Sequence, residues 1–219
     1  DVEMKDSGVE WLGEVPAGWD VTKLKYAVSI RNGQVNPEIE PYCQMVLVAP
    51  NHIESGTGKI IGLETASEQQ AESGKYQFFI GDVLYCKIRP HLQKACLPEF
   101  NGICSADMYP LQPNSMICGK FLLYVLLSDY FTKYTVDESM RVAMPKINRV
   151  SLGNCFIAVP SPMEQSDIVS SIESQTEKID LLLSKISSQI EKFHEYRTAL
   201  ISAAVTGKID VRGEVPAAP

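Results

Sequence analysis

Between Met163 and Gly207 the sequence has neither glycine nor proline, whereas the residues before Pro160 are punctuated by both. That absence argues against a turn in the long segment and leaves a continuous helix as its natural state. No apolar run approaches the length of a membrane span and nothing resembles a signal peptide, so a cytoplasmic location is expected. The six cysteines (Cys43, Cys86, Cys96, Cys104, Cys118, Cys155) form no CxxC pair and only three histidines occur, which leaves a zinc site with little support. Reduced, mostly buried thiols are expected instead. His52, His91 and His194 are scattered, as suits surface or hydrogen-bonded residues rather than a base or a ligand.

Catalytic motifs are missing too. GTGKIIG, residues 56–62, follows an apolar run but has neither the GxxxxGK[ST] nor the GxGxxG spacing, so it reads as a glycine-rich hairpin turn. Asn36-Pro37-Glu38 is not the tetrapeptide with which an amino-methyltransferase holds its target amine, and no S-adenosylmethionine glycine motif precedes it. Carboxylates with nuclease-like spacing to a lysine are absent as well. The expectation is a protein that binds rather than catalyses, with no cofactor and no metal.

What is present is an uneven charge. The net charge is -7, but residues 1–74 carry 5 Lys/Arg against 12 Asp/Glu, while residues 75–149 carry 9 against 6. Only the middle block suits a polyanion, since the local field governs attraction more than the total does. Within it, CKIRPHLQK (residues 86–94) gathers Lys87, Arg89 and Lys94 with His91 and Gln93, and SMRVAMPKINR (residues 139–149) gathers Arg141, Lys146 and Arg149 with Asn148. Cationic heads attract phosphates, and Arg, Asn and Gln pair with base edges, so both segments have the composition of a DNA-reading surface. Charges on the wet side of strands have the same composition, and composition alone does not separate the two readings.

From Gln44 the pattern is that of strands: QMVLVA, KIIGL, YQFFI, DVLYCKI, MYPLQP and later CFIAVP, with glycine-containing turns between. Residues 119–135 have helical spacing. The fold class expected is therefore α+β, a strand-rich domain over residues 1–160, followed by a single helix over 161–207 and a tail over 208–219. Ser161-Pro162-Met163-Glu164 is a capping box with proline at the first helical position, and Gly207 is a natural C-cap. Ile172, Ile179, Ile186, Phe193 and Leu200 recur every seventh residue, with Ile168, Leu182, Tyr196 and Ala203 at the second apolar position of the same heptads and Gln175 and Gln189 as polar residues within the seam. This is a coiled-coil seam, which a helix cannot bury alone. The competing expectation is that the helix folds back on its own domain.

SGVEWLGEVPAGWDVTKLKYA, GDVLYCKIRPHLQKA, CSADMYPL, MRVAMPKINR and the helical VPSPMEQSDIVSSIESQTEKIDLLLSKI and YRTALISAAVTGKIDVR together resemble the specificity subunit of type I restriction-modification systems, over nearly the whole chain. The resemblance implies a non-catalytic protein that reads one part of a split double-stranded DNA target. It also implies docking of methyltransferase (modification) subunits, which bring S-adenosylmethionine, and of restriction subunits. Residues 1–160 would be the target recognition domain and residues 161–207 the spacer. Members of this family usually carry two recognition domains joined by two antiparallel helices. This sequence has one of each, so a half-subunit, or a fragment of a whole one, is expected, with a homodimer formed through antiparallel helices. If the basic segments do not bind DNA, the loop around Asn51, His52 and Lys59 is the next candidate surface. The rival function is a DNA mimic that docks onto modification subunits through the acidic N-terminal block.

Overall fold

The computed structural model describes residues 2–139 and 145–210. Twelve short strands alternate with turns and small helices before one long helix closes the described chain. The strands are β1 (Met4–Asp6), β2 (Glu14–Pro16), β3 (Asp20–Lys23), β4 (Val28–Ile30), β5 (Gln34–Val35), β6 (Leu47–Val48), β7 (Lys75–Phe78), β8 (Val83–Cys86), β9 (Ala95–Cys96), β10 (Gly102–Cys104), β11 (Met108–Pro113) and β12 (Phe156–Val159). The helices are α1 (Leu24–Ala27), α2 (Gly119–Leu127), α3 (Asp129–Ser139), α4 (Arg149–Asn154) and α5 (Pro162–Val205). The expected α+β class, strand-rich and then helical, is what the chain adopts.

Two four-stranded sheets, in the orders β5-β7-β10-β6 and β4-β11-β8-β9, carry the strand-rich part, with β1-β2 and β12-β3 as separate pairs. Among the described residues every strand pairing is antiparallel except β10 with β6. All four residues of β8 are buried, which explains why DVLYCKI reads as a continuous apolar run rather than an alternating one. β10 needs its glycine. A Cβ at Gly102 would lie 2.7 Å from the Val46 carbonyl oxygen and 2.8 Å from the Phe78 ring.

The helical spacing of residues 119–135 resolves into two helices rather than one. Ser128 is extended (φ −73°, ψ 153°) and its hydroxyl donates to the Val125 carbonyl at 2.6 Å, closing α2 before α3 begins at Asp129. The break turns Phe131 inward, where its ring meets Tyr85 edge-on at 5.6 Å and both are fully buried. Leu122, Val125 and Leu126 of α2 join the same core cluster.

The long helix starts and stops as its sequence predicts. The Ser161 amide and hydroxyl donate to Glu164 Oε2 at 3.1 and 2.7 Å, and the Glu164 amide donates to Ser161 Oγ at 3.4 Å. Gly207 takes φ 69°, with the Lys208 amide donating to Ala203 O at 2.9 Å and the Gly207 amide to Ala204 O at 3.1 Å. This is a Schellman ending, which glycine permits without strain. The 44 residues of α5 give a length of about 65 Å.

The chain divides into two compact units, residues 1–169 and residues 170–219. The first two turns of α5 therefore belong to the strand-rich unit. Buried Gln165 fixes them there: its Nε2 donates to Met116 O at 2.8 Å and Pro160 O at 3.0 Å, and its Oε1 accepts from the Cys118 amide at 2.8 Å. No described helix is long and apolar enough to cross a membrane.

Candidate nucleic-acid interface

The two cationic segments of the sequence lie side by side. Past the end of β8, Ile88 forms an antiparallel bridge with Lys146. The Arg89 amide donates to Pro145 O at 3.0 Å and the Ile147 amide to Lys87 O at 2.9 Å. Residues separated by more than fifty positions are thus merged into one ribbon by backbone hydrogen bonds.

Within that ribbon, charge is divided between side chains that hold and side chains that are displayed. Lys87 Nζ donates to Ala106 O at 2.5 Å and sits 5.2 Å from the Tyr109 ring centre. Lys94 Nζ donates to Pro50 O at 2.6 Å. Gln93 Nε2 reaches Thr132 Oγ1 at 3.0 Å and Leu127 O at 3.3 Å, tying the loop to the α2–α3 junction. Asn148 caps α4, its Oδ1 accepting from the Ser151 amide at 2.8 Å. Arg149 spends its guanidinium on the carbonyls of Ile30 (3.2 Å) and Arg31 (2.9 Å), and it stacks over Tyr109 at 4.9 Å and Tyr76 at 5.4 Å. By contrast Arg89, His91 and Lys146 are exposed, and no described residue hydrogen-bonds their side chains. Arg141, the remaining candidate from the sequence, lies outside the described residues.

Tyr109 is the hub that composition could not reveal, since one ring carries a cation from each segment. Its hydroxyl also donates to Ile147 O at 3.4 Å. Burial raises the pKa of that hydroxyl above its usual range, against the opposing pull of Arg149. Burial likewise raises Cys86. Both stay neutral and act as packing groups rather than as acids. His52 is buried, with Nδ1 accepting from the Ala49 amide at 3.2 Å and facing Leu47 O at 3.1 Å.

Arg89 and His91 come from a strained corner. Arg89 (φ 48°) and Gln93 (φ 47°) both take the left-handed conformation, on either side of a 3-10 turn at Pro90–Leu92. Each such non-glycine position costs on the order of 1–2 kcal/mol. The tertiary bonds to Pro145, Thr132, Leu127 and Pro50 hold the corner in place. Among the described residues no group of three or more His, Cys, Asp or Glu side chains is placed to hold a metal ion.

Residues 16–192 match the family model of the type I restriction modification DNA specificity domain. The chain belongs to that family. Among curated specificity-domain relatives, the EcoDI specificity subunit of Escherichia coli is 31% identical over 198 residues, covering 90% of this chain and 44% of that protein. The MjaVIII specificity subunit of Methanocaldococcus jannaschii is 25% identical over 213 residues, covering 92% of this chain and 48% of that protein. The chain therefore spans about half the length of these curated relatives. The solved HsdS subunit of Thermoanaerobacter tengcongensis shares the fold, with a TM-score of 0.68 at 24% identity over 87% of this chain and 50% of that one. A chain from a study of type I R-M assembly and conformational transition does likewise, with a TM-score of 0.69 at 22% identity over 94% of this chain and 53% of the other.

The heptad positions expected to form a seam can be followed along α5. Ile168 is half-buried and packs against the main core cluster of the first unit, so it is already used there. In the second unit Ile172 is half-buried, while Ile179, Leu182, Ile186, Phe193, Tyr196 and Leu200 expose between 44% and 71% of their surface.

Proposed function

We propose that this chain is the DNA-reading, non-catalytic specificity component of a type I restriction-modification assembly, reading one half-site of a split duplex target and docking methyltransferase and restriction subunits. The observation that carries the reading is the ribbon formed by residues 86–94 and 145–149. It holds Arg89, His91 and Lys146 outward while every other described polar side chain singled out in it is spent on the fold. Family membership supports the same reading, and the sequence adds Arg141 to the proposed contacts.

The exposed seam from Ile179 to Leu200 supports pairing with a second rod, here a second copy of the chain lying antiparallel. Two recognition domains held by such a pair face an interrupted palindrome, with the helix length setting the gap. The protein works in the cytoplasm, where its DNA is.

Fluorescence anisotropy with cognate duplex tests the surface. Arg89→Ala and Lys146→Ala each weaken binding, and each lowers the salt slope by about 1. Unchanged affinity and slope in both variants overturn the ribbon as the DNA surface. A DNA mimic, the rival reading, binds no duplex at all. The target itself is read from the methylation pattern written in a genome when the chain is expressed with its modification partner. Sedimentation velocity tests the pair, and a monomer at micromolar concentration overturns the homodimer.

A further inference from the structure

The glycine-rich stretch after β6 packs beside the reading corner. Ile53 and Ile60 form an antiparallel bridge, and the Glu54 amide donates to Lys59 O at 2.9 Å, so residues 53–60 make the hairpin expected from their glycines. Two contacts fasten it. The Gly56 amide donates to Gln93 O at 3.1 Å, and Gly58 lies so close to α2 that a Cβ there would stand 3.1 Å from Leu123 Cδ2. Both glycines take positive φ, 74° and 77°, which makes this close docking possible. Gln93 is thus shared: its backbone holds the hairpin, its side chain holds the α2–α3 junction, and its left-handed φ ends the Arg89 corner.

At the hairpin tip Glu54, Ser55, Gly56 and Thr57 are all exposed. The Glu54 carboxylate is not loose. Thr57 Oγ1 donates to Glu54 Oε2 at 2.9 Å and in turn accepts from the Lys59 amide at 3.2 Å, so the hydroxyl bridges carboxylate and turn. A carboxylate oriented at the rim of a cationic surface is misplaced for contacting phosphates, which repel it. Toward a base edge it has one use. Being acceptor-only, it pairs with an exocyclic amino group, above all the N4 amine of cytosine in the major groove. Arg89, displayed from the adjoining corner, matches the O6 and N7 acceptors of guanine.

We infer that hairpin 53–60 is a second reading limb, in which Glu54, positioned by Thr57, selects a base pair presenting an amino group close to the pair read by Arg89. The inference rests on the DNA-reading function proposed above and specifies the bases that function selects.

The test is selection from a randomised duplex library, followed by anisotropy on the selected duplex and its single-pair variants, with the chain assembled with modification subunits. Glu54→Ala and Glu54→Gln are each expected to lose preference at one amino-bearing pair, on the order of tenfold, with the salt slope unchanged. Arg89→Ala is expected to lose preference at a different, nearby pair and to lower the slope by about 1. Thr57→Val, which unseats the carboxylate, is expected to reproduce part of the Glu54 loss at the same pair and nowhere else. Tighter binding of every duplex by Glu54→Ala would mean that the carboxylate merely repels the backbone, and overturns the inference. So does an unaltered preference in both Glu54 variants while Arg89→Ala still changes its own pair, which leaves the DNA-reading function standing. A wild-type assembly that selects no sequence overturns both.

Discussion

The strand-rich unit builds a core, with Tyr85, Phe78, Phe131 and Leu122 almost wholly buried, whereas along the helix of the second unit Ile179, Leu182, Ile186 and Phe193 are left at least half exposed. The first unit supplies its own hydrophobic cover and so its own stability. The helix has capped ends and a sustained heptad whose apolar positions are left exposed, which the proposed homodimer would cover. Perturbations applied to the two regions therefore give different signatures.

The largest effect belongs to the seam. Leu182→Asp combined with Ile186→Asp places charges where the partner helix must lie, and each unpaired charge costs several kcal/mol to bury. The dissociation constant of the proposed dimer is expected to rise by at least about a hundredfold in sedimentation, while thermal unfolding of the strand-rich unit is unmoved. If the double variant dimerises normally, the contrast between the regions is drawn in the wrong place. Next comes Phe131→Ala, which empties a buried aromatic site and costs about 3–5 kcal/mol in urea unfolding. It is expected to leave the proposed helix pairing intact below the new midpoint.

A pH series sharpens the comparison. Burial pushes the Cys96 thiol from its ordinary 9.0 up to about 12, and raises Cys104 and Cys155 further. A pKa raised in the folded state means that stability is complete below the unfolded value and is lost as pH climbs toward the folded one. Urea midpoints for the strand-rich unit fall between pH 9 and 12, whereas the described helix beyond residue 169 contains no cysteine and lacks this cause of alkaline loss. The smallest effect is at the helix start. Ser161→Ala removes the N-cap acceptor, for about 1 kcal/mol at neutral pH. Hydrogen bonds from Ser161 hold the Glu164 carboxyl below its ordinary range, so this cap contributes above that range and weakens as pH falls through the lowered value. The Ser161→Ala difference accordingly shrinks in acid, as differential scanning would show.

The ends of α5, the six residues of β11 and the four of β12 were legible because their signals are local: a capping box, a glycine, a run of apolar residues. The break at Ser128 was hidden because a serine inside an apolar helical pattern looks like a tolerated polar residue until its own backbone turns extended. The candidate site was legible as a set of residue types and not as a division of labour. Lys94 and Arg89 are equivalent in composition, yet Lys94 is committed to a carbonyl 44 positions away and Arg89 is not. Such distant partners leave no trace in spacing. The same holds for Arg149, whose partners lie 119 and 118 positions away.

The ring of Tyr109 has a practical consequence. Because it carries both Lys87 and Arg149, the ribbon is held by side chains other than those of Arg89, His91 and Lys146, which enter the architecture through their backbones alone. Randomising positions 89, 91 and 146 together, with Tyr109, Gln93, Lys94 and Arg149 left untouched, therefore tests the proposed DNA surface, and the expected outcome is a library whose folded members differ in the duplexes they prefer.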